Sequence, residues 1–248
     1  MSKQRINWYK YAAPANFYPL AGKMIPLFAI PAAILFVWGL YVGFFVAPPT
    51  DAQQHEYYRI IFIHVPAAWM GMFLYVLMAL YAGVGWAFNA RLGSMMAQAI
   101  APTGAIFTFI SLVTGSLWGR PAWGVWWVWD ARLTSTLILM FLYIGFISLQ
   151  SSIDDVRRAD RAGAVLAVVG VINVPIIYFS VQWWNSLHQG ATITAKSFKM
   201  APEMRTAMLI LVGACWLYSI AVVLVRVRHI IREREQEAPW LTESLAEI

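Results

Sequence analysis

Residues 118–132, WGRPAWGVWWVWDAR, decide how this chain is interpreted. The stretch holds five of the thirteen tryptophans and lies between two apolar runs that are each long enough to cross a membrane. Trp123, Trp126 and Trp127 are spaced i, i+3 and i+4, so a helix would place their indoles on one face. Asp130 would continue that face one turn later. If this stretch is a helix, the spacing predicts an aromatic shelf.

Two cations bracket this shelf, Arg120 and Arg132. An aromatic surface with a cation at each end suits a large, flat, apolar ligand that carries acid groups. The alternative is an ordinary aromatic belt, because tryptophan prefers the membrane–water interface. Five tryptophans within twelve residues, interleaved with Gly, Pro, Asp and Arg, are more than a belt requires.

The composition is that of a polytopic membrane protein. Of 248 residues, 60% are hydrophobic and 12% are charged. The net charge of +6 does not indicate a nucleic-acid partner, since the cations flank apolar runs. The single cysteine, Cys215, excludes an internal disulfide, and without C-x-x-C or C-x-x-C-H the chain is neither a thiol carrier nor itself a c-type cytochrome. It has no phosphate-binding loop, so any use of ATP belongs to a partner.

Six apolar runs predict an all-α, polytopic fold, with one membrane domain over residues 1–248. The predicted spans are about 24–47, 63–88, 94–117, 133–149, 163–184 and 205–227. Residues 118–134 lie between spans 3 and 4. Proline disfavours helix at the preceding residue, so the regular part of span 2 is expected to start near Pro66, with His64 at the membrane boundary. The fifth run is interpreted as one span with Pro175 inside it.

The distribution of Lys and Arg predicts the orientation. Twelve lie at the two termini and in the loops after spans 2 and 4, and six lie on the opposite side. Because cytoplasmic loops carry the excess of positive charge, both termini are expected to be cytoplasmic. The tryptophan stretch, His64 and His188 then share the outer side of the membrane.

Two of the four histidines suggest a site. His229 in the charged tail and His55 in a polar loop are interpreted as solvated side chains. His64 lies among apolar residues (IIFIHVP), and His188 follows the fifth span by about one helical turn. Neutral imidazole is the commonest ligand of haem iron, and two imidazoles from different helices can hold a haem from both faces.

Haem also accounts for the neighbouring cations. Its two propionates suit arginine, whose planar guanidinium makes paired, charge-assisted hydrogen bonds to carboxylates. The candidates for this role are Arg59, Arg120 and Arg132. The alternative for each of them is a plain interfacial anchor.

Residues 118–134, WGRPAWGVWWVWDARLT, resemble the tryptophan-rich WWD signature of the haem-handling proteins of cytochrome c biogenesis. Within that superfamily the chain is similar to the CcmC family of cytochrome c maturation system I. The similarity covers the whole chain: a short length, six spans, and one histidine on each side of the signature. The other WWD proteins, such as CcmF, are longer and have more spans.

The resemblance implies a function and a set of site residues. His64 and His188 would be the axial ligands of a haem b that is bound transiently and non-covalently. The WWD segment would hold haem at the outer face of the bacterial inner membrane and present it to the periplasmic haem chaperone CcmE. CcmD and the ATPase complex CcmA–CcmB would act with it, and ATP use would release the loaded chaperone. The implied binding residues are Trp118, Trp123, Trp126, Trp127, Trp129 and Asp130.

Two other classes of protein remain possible from the residues. A membrane b-type cytochrome that passes electrons to or from quinone would also use a histidine pair. A translocator would need a polar path, yet the apolar runs contain almost no charge. No acid–base pair or nucleophile points to an enzyme; Asp130 is expected to orient an indole, cap a helix or pair with Arg132.

Overall fold

The computed structural model describes residues 8–48, 56–184, 186–188 and 200–246, and every regular element within them is a helix. Six segments are long and apolar enough to cross a membrane, with α5 and α6 counting as one. The predicted all-helical, six-span fold is confirmed. The helices are α1 (Pro14–Tyr41), α2 (Ile61–Phe88), α3 (Arg91–Trp123), α4 (Ala131–Ser152), α5 (Val156–Gly170), α6 (Asn173–Trp183), α7 (Pro202–Arg234) and α8 (Pro239–Ala246).

Most helices continue beyond the apolar runs that predicted them. A 3-10 turn, Glu56–Ile60, leads directly into α2, and α7 runs on through the charged tail to Arg234. Apolar residues mark the thickness of the bilayer rather than the ends of a helix, so the sequence predicts the spans more closely than the helix ends. His55, Lys196 and Lys199 lie outside the described residues.

The expected start of the second helix near Pro66 is wrong. Pro66 lies inside α2, one turn beyond its first residue, Ile61. A proline there leaves the carbonyl of Phe62 without its usual partner. Tertiary packing outweighs this local preference, because Phe62 is fully buried and Tyr58 just before the helix donates to the Pro48 carbonyl at 2.8 Å. His64 therefore lies in the first turns of a helix.

The fifth span is not one continuous helix. It breaks between Gly170 and Asn173, and Pro175 becomes the third residue of α6. Proline is tolerated in a first turn because the N–H it lacks has no helical partner there. The Asn173 side-chain amide donates to the Ser135 carbonyl at 2.8 Å, which fixes the new helix against α4. The break thus separates α5 from α6, and both helices pack against α4, the helix that begins at the tryptophan stretch.

The packing order brings the relevant segments to one end of the bundle. α2 packs along α3, α1 along α7, and α4 against α3, α5 and α6. The start of α2, the end of α3, the start of α4 and the end of α6 lie together, because successive spans run in opposite directions. His64, the tryptophan stretch and His188 belong to these four ends.

The other end of the bundle is closed by ion pairs. Arg234 at the end of α7 makes two hydrogen bonds to Asp160 of α5, at 2.8 and 2.9 Å, and one to Gln98 of α3 at 3.0 Å. Arg91 at the start of α3 pairs with Glu235, which is buried. These contacts tie α3, α5 and α7 together at the end opposite the histidines.

Candidate functional site

A cleft opens between α2, α3, α4 and α6, and both predicted ligand histidines line it. It encloses about 580 Å³ of empty space, counting the part open to the outside. The walls are His64, Ala68 and Met72 of α2; Thr108, Ser111, Leu112, Gly115 and Ser116 of α3; Trp127; Arg132, Leu133, Thr136 and Leu139 of α4; Ile177; and His188.

His64 enters the cleft from α2 and rests on α3. Its Nδ1 lies 3.1 Å from the hydroxyl oxygen of Thr114. The Trp118 indole meets the imidazole nearly edge-on, with the ring centroids 6.1 Å apart and the planes at 70°. The ring is therefore held by one polar and one aromatic contact.

His188 enters the cleft from the segment after α6, and Asp130 connects that segment to α4. The Asp130 carboxylate caps α4 by accepting from the Leu133 N–H at 2.7 Å, and its other oxygen accepts from the Ser186 hydroxyl. The Ser186 oxygen accepts in turn from the His188 N–H at 3.1 Å. Of the three roles expected for Asp130, the structure shows helix capping, and it adds a link to His188.

The His188 imidazole is in the form that binds metal. Burial lowers the pKa of His188 to about 4, the positive charge of Arg132 acts in the same direction, and Asp130 opposes both. The ring is therefore neutral near pH 7. Its Nδ1 is buried, has no hydrogen-bond partner among the described residues, and lies 3.9 Å from the Asp130 carboxylate. A neutral imidazole that is not tied up by the protein is available as a ligand.

The tryptophan stretch does not form the helix on which the predicted aromatic shelf depends. α3 ends at Trp123, Gly124 takes a positive φ of 79°, and residues 125–130 are not helical. Glycine reaches this left-handed conformation without strain, and the Arg120 guanidinium donates to the Gly124 carbonyl. Trp126 and Trp127 thus follow the helix rather than continue it, and the face shared by i, i+3 and i+4 positions does not form.

The broken helix divides the tryptophans into two groups. We call Trp118, Trp123 and Trp127 the inner tryptophans and Trp126 and Trp129 the outer tryptophans. Among the inner group, the Trp123 ring lies 4.9 Å from that of His188. Trp127 lines the cleft, and its buried Nε1 has no hydrogen-bond partner in the described part of the chain. The outer pair is 55% and 76% exposed.

The structure brings one of the three candidate arginines to the cleft. Arg132 lines it. Arg59 instead donates to the carbonyls of Gly43 and Ala47, at 2.7 and 2.9 Å, and so stabilises the end of the first span. Arg120 is engaged with the turn at Gly124. Only Arg132 among the three is placed to meet an acid group in the cleft.

Three residues of the site were not singled out by the sequence. Ser186 links Asp130 to His188, and Thr114 and Gly115 contact the His64 ring. A signal was present for the latter two, since Ser111, Thr114, Gly115 and Trp118 follow the i, i+3, i+4, i+7 spacing of one helix face. For Ser186 no local pattern exists.

Fold and site together define a polytopic helical membrane protein with a paired-histidine cleft at one end of the bundle. A family model described as CcmC, heme exporter protein C, matches residues 7–242. The chain belongs to this family, and the predicted resemblance is confirmed.

Relatives cover nearly the whole chain. Heme exporter protein C of Escherichia coli K12 is 45% identical over 235 residues, which is 95% of each chain. The protein of the same name from Haemophilus influenzae is 42% identical over 235 residues, 94% of this chain and 95% of the relative. That of Paracoccus denitrificans is 35% identical over 240 residues, 96% and 99% of the two chains.

Proposed function

We propose that this protein binds haem in the cleft between His64 and His188 and takes part in its export for cytochrome c maturation. The observation that carries the proposal is the meeting of two imidazoles, from separate segments far apart in sequence, in one cleft. The names of the relatives, heme exporter protein C, support the export role. Haem is the cargo of this protein, and its iron takes the two imidazoles as axial ligands.

The chemistry of the cleft fits such a cargo. Its walls are mainly apolar, which suits the porphyrin faces, and burying apolar area contributes roughly 25 cal/mol per Å². Arg132 supplies a cation for a propionate. The buried Trp127 N–H and His188 Nδ1 lack partners within the described residues. Buried polar groups are normally satisfied, so unsatisfied ones at a cleft wall are consistent with a missing ligand.

Delivery requires the cleft to face the periplasm. We place it there because the Lys and Arg residues concentrate at the other end, which contains Arg91 and Arg234. Both termini are then cytoplasmic, and the protein is a multi-pass component of the bacterial inner membrane. The recipient that we propose is the periplasmic chaperone CcmE.

Two adjacent indoles, those of Trp127 and Trp129, connect the cleft with the surface. Trp127 lines the cleft, and its ring lies 5.5 Å from that of the exposed Trp129, nearly perpendicular to it. Exposed tryptophans are frequent hot spots of protein interfaces. The outer tryptophans therefore offer a docking surface for CcmE directly beside the haem.

The remaining partners supply what this chain lacks. No phosphate-binding loop is present in the sequence, so ATP-driven release of the loaded chaperone belongs to CcmA–CcmB. CcmD completes the proposed complex. We assign this chain a binding and delivery role without catalysis, in which histidines and tryptophans hold the cargo and the docking surface directs it.

Replacing Arg132 with Gln is expected to lower haem affinity about 10-fold, because a hydrogen bond to a charged group contributes about 1.5–3 kcal/mol. Titration of the detergent-purified protein with haem measures the change. The same titration with iron porphyrin dimethyl ester, which lacks free carboxylates, should not distinguish variant from wild type. Arg120→Gln should bind haem normally. If Arg132→Gln weakened the binding of haem and of the dimethyl ester equally, a propionate contact would be contradicted.

Replacing Trp126 and Trp129 together with Ala tests delivery separately from binding. The haem spectrum should stay normal, because neither residue lines the cleft. Covalent haem on CcmE should fall about 10-fold, the effect of losing an interface hot spot. Haem staining of CcmE from cells that carry the variant, the wild type or neither gives the measurement.

Trp86→Ala is the matched control, since Trp86 is also half-exposed but lies near the far end of α2. It should load CcmE normally. Normal loading by the Trp126/Trp129 variant would contradict the docking surface. Normal loading in cells without this chain would contradict the delivery function, and rapid reduction of tightly retained haem by quinol would indicate a b-type cytochrome instead.

A further inference from the structure

The His64 ring lies against a specific face of α3. Thr114, Gly115 and Trp118 lie on this face, and we call these three residues the His64 seat. Thr114 contacts Nδ1, Gly115 lies beneath the ring, and Trp118 meets its edge. The helical spacing of the three residues lets one element control both the position and the rotation of the imidazole.

The hydrogen bonds of Thr114 determine which nitrogen of His64 carries the proton. The Thr114 hydroxyl lies 2.6 Å from the Ile110 carbonyl and 3.3 Å from the Ser111 carbonyl. A hydroxyl has one hydrogen, and the shorter contact to Ile110 uses it. The hydroxyl oxygen can then only accept from His64 Nδ1 at 3.1 Å.

Thr114 therefore requires N–H at Nδ1. A neutral imidazole with its hydrogen on Nδ1 has its lone pair on Nε2. The lone pair is thus on Nε2, the ring nitrogen that Thr114 does not contact. The same arrangement is general for metal-binding histidines, in which the second nitrogen donates to a fixed acceptor.

Gly115 makes the close approach of the ring possible. A Cβ at this position would lie 3.0 Å from His64 Cε1 and 3.5 Å from Nδ1. The first distance is shorter than an ordinary carbon–carbon contact, so a side chain at position 115 would push the ring out of the seat. The absence of a side chain at position 115 therefore allows the His64 ring to pack this closely against α3.

We propose that Thr114 is a positioning residue that selects the Nδ1–H tautomer of His64 and aims its Nε2 at the haem iron. The inference rests on the proposed haem-binding function and extends it to a residue that touches the ligand histidine rather than the haem. A fixed acceptor at Nδ1 also makes the imidazole more electron-rich, which favours ferric iron. Thr114 accordingly influences both haem affinity and reduction potential.

The test compares Thr114→Val with Thr114→Ser in the full-length, detergent-purified protein. Loss of the acceptor should weaken haem binding about 10-fold, the lower end of the usual 10–100-fold effect of removing such a partner. The reduction potential of the bound haem should rise in Thr114→Val. Thr114→Ser restores the hydroxyl and should return both properties to those of the wild type.

Thr206→Val is the matched control. Thr206 makes the same type of bond to its own helix, to the Pro202 carbonyl at 2.8 Å, but lies on the exposed face of α7. It should leave affinity and potential unchanged. If Thr114→Val does not fold, Thr114→Ala, which removes the hydroxyl without adding a methyl group, replaces it in the comparison.

His64→Ala in the same series separates the two possible failures. If His64→Ala loses an imidazole ligand but Thr114→Val matches the wild type in affinity and potential, the role of Thr114 is overturned while the haem site stands. If His64→Ala itself leaves the haem spectrum unchanged, the proposed function fails and the inference fails with it.

Discussion

His64→Ala and His188→Ala are each expected to convert the haem spectrum from two imidazole ligands to one, with most of the haem lost during purification. Each histidine is the sole imidazole on its side of the cleft among the described residues. Loss of an axial ligand removes a metal–ligand bond, a larger change than loss of any surrounding contact. The visible spectra of the oxidised and reduced proteins provide the measurement.

Two controls separate ligation from folding. His229→Ala removes a histidine that pairs with Glu233 on the exposed surface of α7, and it should leave the spectrum unchanged. Free imidazole added to the His64→Ala or His188→Ala protein should restore the spectrum, because a small imidazole fits the space left by the side chain. Unchanged spectra in both alanine variants would remove the ligand assignment.

Asp130→Ala is expected to weaken haem binding at least 10-fold and to remove the His188 ligand from a large fraction of the protein. Two effects combine in this variant. Loss of the α4 cap destabilises the fold by about 1 kcal/mol. Loss of the acceptor for Ser186 frees the segment that carries His188. Haem titration and thermal unfolding of the haem-free protein measure the two effects separately.

Asp130→Asn separates the loss of the helix cap from the loss of the acceptor for Ser186. Asparagine caps a helix as well as aspartate, so the unfolding temperature should stay near that of the wild type. In asparagine an NH₂ group replaces the oxygen that accepts from the Ser186 hydroxyl, so this hydrogen bond is lost as it stands and haem binding should still weaken. Asp155→Ala removes the equivalent cap of α5 and should bind haem normally. If Asp130→Asn bound haem as tightly as the wild type, Asp130 would act only as the cap of α4.

The sequence predicted the fold where one physical effect dominates. Six apolar runs and their alternation placed His64, the tryptophan stretch and His188 at one end of the bundle, and the helices have that arrangement. Local rules failed at prolines. Pro66 is accommodated inside α2 because buried neighbours hold the helix, whereas Pro175 coincides with a break. The difference depends on tertiary contacts, which a local pattern does not contain.

The site was predictable in its residue types and less so in their arrangement. Spacing alone put Trp123, Trp126 and Trp127 on one face, but Gly124 ends the helix between the first and the second of them. Arginine suits propionates in general, yet Arg59 is engaged by the end of the first span. Which indoles face the cleft and which cation reaches it follow from chain geometry after the helix ends.

The resulting arrangement reconciles holding a cargo with releasing it. Trp127 and the two histidines line the cleft, Trp118 and Trp123 pack against the histidine rings, and the outer tryptophans are exposed. The cleft is open to the outside rather than sealed, so under the proposed function haem would leave without unfolding of the bundle. The proposed binding and docking residues are neighbouring but separate, and substitutions should affect the two functions independently.

The central claim is that one haem iron takes both imidazoles, and electron paramagnetic resonance of the ferric, haem-loaded wild-type protein tests it most directly. Two axial imidazoles produce low-spin iron, whereas a single imidazole leaves the iron high-spin. We expect a low-spin signal that is lost in His64→Ala and in His188→Ala. A high-spin signal from the wild-type protein would contradict the paired-histidine site.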